Sequence, residues 1–442
     1  MKVADMLCGK GHENDTEYQP LRASSPEPWQ AEDESTRRKP RCAGVRKVWK
    51  NLGWTVVIVT GLVGVTFSLV VFGIERYFVH AYESSGLSLA DPFEDTENST
   101  ESATRWVKRL SPHVSPAMVH SHNDYLRPRP LFSALSVGCV SVEADVWRSK
   151  DGNELLVGHH WWDLTPKKTL RSLYIDPLLQ VLDMINAERS RVIPGSDKHP
   201  AGVFANYPNR TLILFIDVKD DPVTTWPLVL EQLQPLRERN YLSRHDKIFS
   251  PVANQTFQYG PITVVGTGNI AKRRDVNVGA DPERWRQYHD VFLDASLDLL
   301  SRPGYCERND TYCLDVQENE FYTASVSLWR AIGTLMFGFS TSQLKTVRSQ
   351  IQTAKRLNLK SRYWELPGWP ISYRNHVWKI LAREGIDLLN ADDIVSAATR
   401  HWSSNAVSET VWMCGVGSFL AGFSITLILL GRRMIWRELS LR

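Results

Sequence analysis

Hydrophobic and polar positions follow two different patterns along this chain. Between about residues 112 and 400, short apolar runs rich in branched side chains are each followed by amphipathic stretches. The short runs predict strands at 118–121, 141–146, 154–157, 211–218, 247–250, 262–266, 291–295, 362–365 and 387–390. The amphipathic stretches predict helices at 131–137, 170–189, 226–239, 343–358 and 374–383. Strands alternating with helices argue for a parallel sheet covered by helices. About eight such steps suggest a closed, TIM-barrel-like (β/α)8 domain over residues 112–400. An open doubly wound sheet would want a Gly-rich phosphate loop after its first strand, and the sequence holds none there. Pro130 and Gly138 bracket the first helix, as a proline start and a glycine stop should.

The second pattern is continuous apolarity. Residues 52–74, LGWTVVIVTGLVGVTFSLVVFGI, and residues 411–431, VWMCGVGSFLAGFSITLILLG, hold no charged side chain. A bilayer core takes about 20 apolar residues as helix, so both stretches are expected to be transmembrane helices flanking the barrel. A cleaved leader is not expected, because leaders fill roughly the first 15–30 residues and polar residues 1–51 come first here. Arg37, Arg38, Lys39, Arg41, Arg46, Lys47 and Lys50 precede the first stretch; Arg432, Arg433 and Arg437 follow the second. Glu75, Glu83, Asp91, Glu94 and Asp95 lie just after the first. Basic flanks stay on the cytosolic side. Residues 1–51 and 432–442 therefore read as cytosolic tails, the first of them disordered. Residues 75–111 read as a stalk on the far side, lumenal or extracellular, below a barrel in the secretory pathway or at the cell surface. Sequons at Asn98, Asn209, Asn254 and Asn309 all fall on that side. Cys306 and Cys313 would meet an oxidising compartment there, where a disulfide across a short loop and two free thiols are both open.

Composition narrows the function classes. A net charge of +3 over 442 residues, with no basic domain behind it, argues against nucleic acid as the main partner. Six cysteines in a chain of this length do not make a disulfide scaffold.

Barrel enzymes carry their chemistry at the C-terminal ends of strands. The first predicted strand ends in His120-Ser121-His122-Asn123-Asp124. The second holds Glu143 and Asp145, two apart and so facing the same way. The third ends in Gly158-His159-His160, and the fourth in Asp217-Val218-Lys219. His120 shares parity with His122 and is a further candidate to face the site, as His160 is beside His159. Burying three carboxylates without partners would cost several kcal/mol each, and a cation offsets that cost. Oxygen donors suit Mg²⁺ or Ca²⁺; zinc would prefer the histidines, which also suit proton transfer.

These residues resemble a known group. The run VHSHNDYLRPRPLFSALSVGCVSVEADVWRSKDGNELLVGHH is similar to the PLC-like phosphodiesterase superfamily, which includes glycerophosphodiester phosphodiesterases and sphingomyelinase D-like enzymes. Within it, the HSHNDY start, the SVEADVW strand and the LLVGH, TLRSLY and DPLL runs most resemble the fungal family called altered inheritance of mitochondria protein six. The resemblance implies that Glu143, Asp145 and Asp217 hold a divalent metal. It implies that His122 and His159 are the acid–base pair, that Lys219 contacts phosphate, and that Trp364 in RYWEL lines the substrate pocket. GIDLLNADD, near Asp392, resembles the closing strand of such a barrel. The chain departs from better-known members in having His122-Asn123-Asp124 where glycerophosphodiesterases have His-Arg-Gly, in lacking their Pro-Glu-Asn-Thr element, and in having Asp217 where they have Glu.

The expected function is a membrane-embedded, metal-dependent phosphoric diester hydrolase acting on membrane lipid or glycerophosphodiester substrates. A non-catalytic barrel that binds phospholipid headgroups, or serves as a membrane scaffold, is the alternative. A two-carboxylate glycosidase fits less well, because the histidines and Lys219 favour phosphate over sugar.

Overall fold

The computed structural model describes residues 98–192, 199–246, 256–272, 288–300, 320–335, 338–368 and 371–400, with a few positions outside these ranges. The chain divides into two units, Met1–Ser68 with Ser424–Arg442, and Leu69–Phe423. The second holds the barrel.

Eight parallel strands close on themselves: β1 (Ala117–Ser121), β2 (Cys139–Arg148), β3 (Leu212–Val218), β4 (Ile262–Gly268), β5 (Val291–Ser296), β6 (Phe321–Ser327), β7 (Lys360–Trp364) and β8 (Leu388–Ala391). Each pairs with the next, and Ala391 of β8 lies opposite Ser121 of β1, which closes the ring. Strands β2 and β3 are buried along almost their whole length. That is why they read as near-continuous apolar runs: helices cover one face and the barrel interior the other. Helices Phe132–Ser136, Asp176–Val192, Pro222–Gln232, Thr341–Arg356, Ile371–Glu384 and Ile394–Thr399 pack outside. The core lies chiefly between them and the strands. At Gly138, φ is +86° and an added Cβ would stand 2.3 Å from the Ser115 carbonyl oxygen, so the tight entry into β2 requires glycine.

The expected closed barrel is present, with three differences in its parts. Leu155–Val157 is not a barrel strand; it folds back antiparallel onto β2, with Val157 opposite Val146. Periodicity alone does not tell a hairpin arm from a barrel strand. Phe321–Ser327, which was not among the expected strands, takes a full place in the ring between β5 and β7. The folded unit also reaches further upstream than residue 112. Ser99–Arg105 is helical, with Asn98 Oδ1 capping it by accepting from the Glu101 N–H. Trp106 is fully buried and donates from Nε1 to the Val203 carbonyl at 3.0 Å. Part of the expected stalk is thus helical and packs into the barrel's core cluster.

Positions described within 52–74 and 411–431 are scattered and helical, and the rest of both stretches lies outside the described residues. Among the described residues no helix is long and apolar enough to cross a membrane. The expected strand 247–250, Cys306, Cys313 and the sequons at Asn254 and Asn309 also lie outside the described residues.

Candidate active site

The register of the sheet brings the acidic residues together. Asp145 of β2 lies beside Asp217 of β3, and Glu143 stands one pleat below on the same face. One oxygen from each of Glu143, Asp145 and Asp217 falls within a 4.8 Å cluster at the C-terminal mouth of the barrel. Asp145 Oδ2 is saturated: it accepts from Tyr125 Oη at 2.7 Å, lies 3.0 Å from Lys219 Nζ and 3.1 Å from His159 Nδ1. Its other oxygen, Oδ1, is buried with no hydrogen-bond partner among the described residues. A buried carboxylate oxygen left bare is costly. A hard cation would satisfy it, and the all-oxygen donor set fits Mg²⁺ or Ca²⁺.

The electrostatics agree with that fit. Burial and the neighbouring Glu143 charge push the Asp145 carboxyl up to about 6, against the pull of Lys219. Burial also raises Asp217, Lys219 again opposing. Burial would raise Glu143 too, but the charges of Arg362 and His122 beside it hold it well below the ordinary carboxylate range. Lys219 bridges Asp145 and Asp217, 3.0 Å from each. It was expected as a phosphate contact; it is first a counter-charge for the cluster, and it lines the cavity as well.

His122 and His159 reach the cluster from different elements. His122 follows β1, and its Nδ1 lies 2.8 Å from Asp392 Oδ1 while Nε2 is 3.9 Å from Glu143 Oε2. Burial lowers its pKa, but the Asp392 hydrogen bond and the Glu143 and Asp392 charges outweigh that and raise it. His159 follows the hairpin arm; the Gly158 N–H donates to the Asp145 carbonyl at 3.1 Å and fixes the turn. Carboxylates only accept, so each imidazole presents its Nδ1 hydrogen to one, and its Nε2 makes no hydrogen bond among the described residues. His160 stacks on Trp162 instead, ring centroids 4.3 Å apart.

His120 does not enter the site. It is fully buried inside the barrel, donates from Nδ1 to Ser141 Oγ at 2.7 Å, and accepts at Nε2 from Arg362 Nη1 at 2.9 Å. Burial, helped by the Arg362 charge, pushes it down to about 4, so it is neutral. Arg362 is the centre of this inner network. It also donates to Ser325 Oγ and Asn390 Oδ1, stands 3.6 Å from both Glu143 and Asp294, and lies over the Phe215 ring.

Sequence reasoning missed Arg362, Asp294, Tyr125 and the Asp392–His122 pair. The sequence carried a signal for two of them. Arg362 shares a face with Trp364, and Asp294 interrupts the apolar run 291–295 of β5. The HND run also divides by role. Asn123 takes a left-handed backbone (φ 48°) and donates its N–H to Glu143 Oε2 at 3.1 Å. Asp124 is buried and braces the loop, accepting from Ser121 Oγ, the Leu131 N–H and Tyr174 Oη. Arg127 ties that loop to the end of β8 through the His122 and Ala391 carbonyls.

A cavity of about 800 Å³ opens over the cluster, lined among others by His122, His159, Lys219, Arg330 and Trp364. Gly268, at its edge, has φ +69°, and a Cβ there would stand 2.0 Å from Asp217 Oδ1. Gly268→Ala should therefore cost more than about 1 kcal/mol of stability and also weaken divalent-cation binding, because Asp217 must turn away. Thermal unfolding with and without cation checks both effects.

Comparison with known proteins places the chain in a family. Residues 108–294 match the AIM6-like phosphodiesterase domain. Altered inheritance of mitochondria protein 6 homolog of Arthroderma benhamiae is 37% identical over 322 residues, covering 70% of this chain and 92% of that protein. Altered inheritance of mitochondria protein 6 of Eremothecium gossypii is 36% identical, covering 62% of this chain and 67% of that protein. The Saccharomyces cerevisiae (strain YJM789) protein of that name is 32% identical, covering 66% and 73%. A crystal structure of a glycerophosphodiester phosphodiesterase from Parabacteroides distasonis aligns with a TM-score of 0.33 and 13% identity, over 66% of this chain and 97% of that one. That likeness is too slight to argue from.

Proposed function

Because the chain belongs to the altered inheritance of mitochondria protein 6 family, we propose that it is a metal-dependent phosphoric diester hydrolase anchored to a membrane and acting on lipid or lipid-derived phosphodiesters. One observation carries this reading. Two imidazoles, each oriented through Nδ1 by a carboxylate, border a cluster of three acidic side chains that contains a bare buried oxygen.

Glu143, Asp145 and Asp217 would hold the cation, Mg²⁺ or Ca²⁺. Bound there, it would supply Lewis-acid stabilisation of charge building on the phosphoryl oxygens. Lys219 adds fixed positive charge beside the same oxygens. One histidine takes the proton from the attacking hydroxyl through Nε2, and the other protonates the leaving oxygen. A substrate with a neighbouring hydroxyl would be cut by internal attack and give a cyclic phosphate; without one, water attacks. Trp364 walls the cavity against the substrate's apolar part. Anchoring is supported by the two uncharged stretches and their basic flanks.

The test is turnover by the purified full chain on glycerophosphodiesters and sphingomyelin, with products read by phosphorus NMR. Activity should vanish with chelator and return with Mg²⁺ or Ca²⁺. His122→Ala and His159→Ala should each reduce turnover by about 10²-fold or more, the usual scale for losing a general acid or base. Full activity in both variants, or chelator-insensitive activity, would contradict the assignment.

A further inference from the structure

Four tryptophans are solvent-exposed among the described residues: Trp161 (69%), Trp162 (62%), Trp329 (65%) and Trp364 (37%). Single exposed apolar side chains are ordinary on a soluble surface. These four are not scattered. Trp364 is the last residue of β7, Trp329 lies two residues beyond the end of β6, and Trp161 and Trp162 follow the hairpin arm beside β2. Leu126, 66% exposed, joins them from the loop after β1. All therefore stand at the C-terminal end of the barrel, where the cavity opens, and Trp364 lines that cavity. A chain of rings leads outward from the site: His159 to His160 at 4.4 Å, His160 to Trp162 at 4.3 Å, and Trp162 to Trp161 at 5.5 Å between centroids. Exposed Lys167 and Lys168 follow these tryptophans in sequence, and Arg330 and Lys272 line the cavity. Away from this rim, a separate cleft bears the exposed tyrosines Tyr207 and Tyr259 and no tryptophan.

We propose that this rim docks onto the surface of a lipid bilayer, with Trp161, Trp162 and Trp329 in the interfacial layer. Indole rings, apolar with one polar N–H, favour that layer, and flanking lysine and arginine suit anionic headgroups. A protein seated on the same rim would cover the cavity that the rim surrounds. A bilayer covers the rim and presents phosphodiester headgroups to the cavity at the same time. The preference for a bilayer over a protein partner, and its use in catalysis, rest on the hydrolase reading; the exposed indoles and their basic flanks do not.

The test adds the full chain to phosphatidylcholine–phosphatidylserine vesicles with brominated acyl chains, which quench tryptophans that enter the interface. The W161F/W162F/W329F variant removes only the rim's signal, so tryptophans elsewhere cancel in the comparison. Docking predicts clearly less quenchable fluorescence in the variant; identical quenching in both proteins overturns it. In a second arm, W161S/W162S/W329S should lower turnover of vesicle-borne phosphodiester by about tenfold and leave a water-soluble short-chain phosphodiester unaffected. Equal effects on both substrates, including none, overturn the proposal. If the unaltered protein cleaves neither substrate, the hydrolase reading fails while the quenching comparison still decides docking.

Discussion

Replacing Glu143 with alanine will remove cation dependence and phosphodiester turnover together. Glu143 is one of three oxygen donors in the cluster, and it receives the Asn123 N–H that sets the loop carrying His122. Loss of Lewis-acid stabilisation is worth several kcal/mol, or about 10³-fold or more in rate. Calorimetric titration with Mg²⁺ or Ca²⁺ should lose its binding heat in the same variant. Unchanged binding heat with lost turnover would move Glu143 out of the cation site.

The second large effect concerns the barrel interior. Arg362 is a buried cation between Glu143 and Asp294 and anchors Ser325, Asn390 and neutral His120. Arg362→Met keeps much of the volume but leaves two buried carboxylates without their shared counter-charge. Breaking a buried pair by removing one partner costs about 3–5 kcal/mol. Denaturant unfolding at neutral pH should show a loss of that size, and Arg362→Lys should recover only part of it, lacking the fork that reaches several partners. A loss below about 1 kcal/mol, the size expected of an exposed pair, would contradict the role given to Arg362.

Strand parity made the acidic mouth of the barrel legible in the sequence. Glu143 with Asp145, and Asp217 with Lys219, are each two residues apart on buried strands, and all four converge. The same periodicity misled at Leu155–Val157, since an apolar run of three residues has no mark that separates a hairpin arm from a barrel strand. The strand Phe321–Ser327 escaped because its inward face is Thr323, Ser325 and Ser327, polar residues that serve Asp294, Arg362 and Glu365. Hydroxyls every second residue look like surface until a buried charge is known to need them. His120 illustrates the converse. Its parity correctly pointed inward, but inward at that level is the packed core, where Arg362 and Ser141 take both ring nitrogens. The pairing of His122 with Asp392 joins positions 270 residues apart, and only closure of β8 onto β1 creates it.

The most direct measurement is a crystal structure of the protein soaked with Mn²⁺, an oxygen-seeking stand-in for Mg²⁺ that is visible by anomalous scattering. A single peak should lie among Glu143, Asp145 and Asp217, within about 2.0–2.6 Å of one oxygen from each, with Asp145 Oδ1 as a ligand. A peak elsewhere, or those three side chains left without a shared ion, would contradict the account.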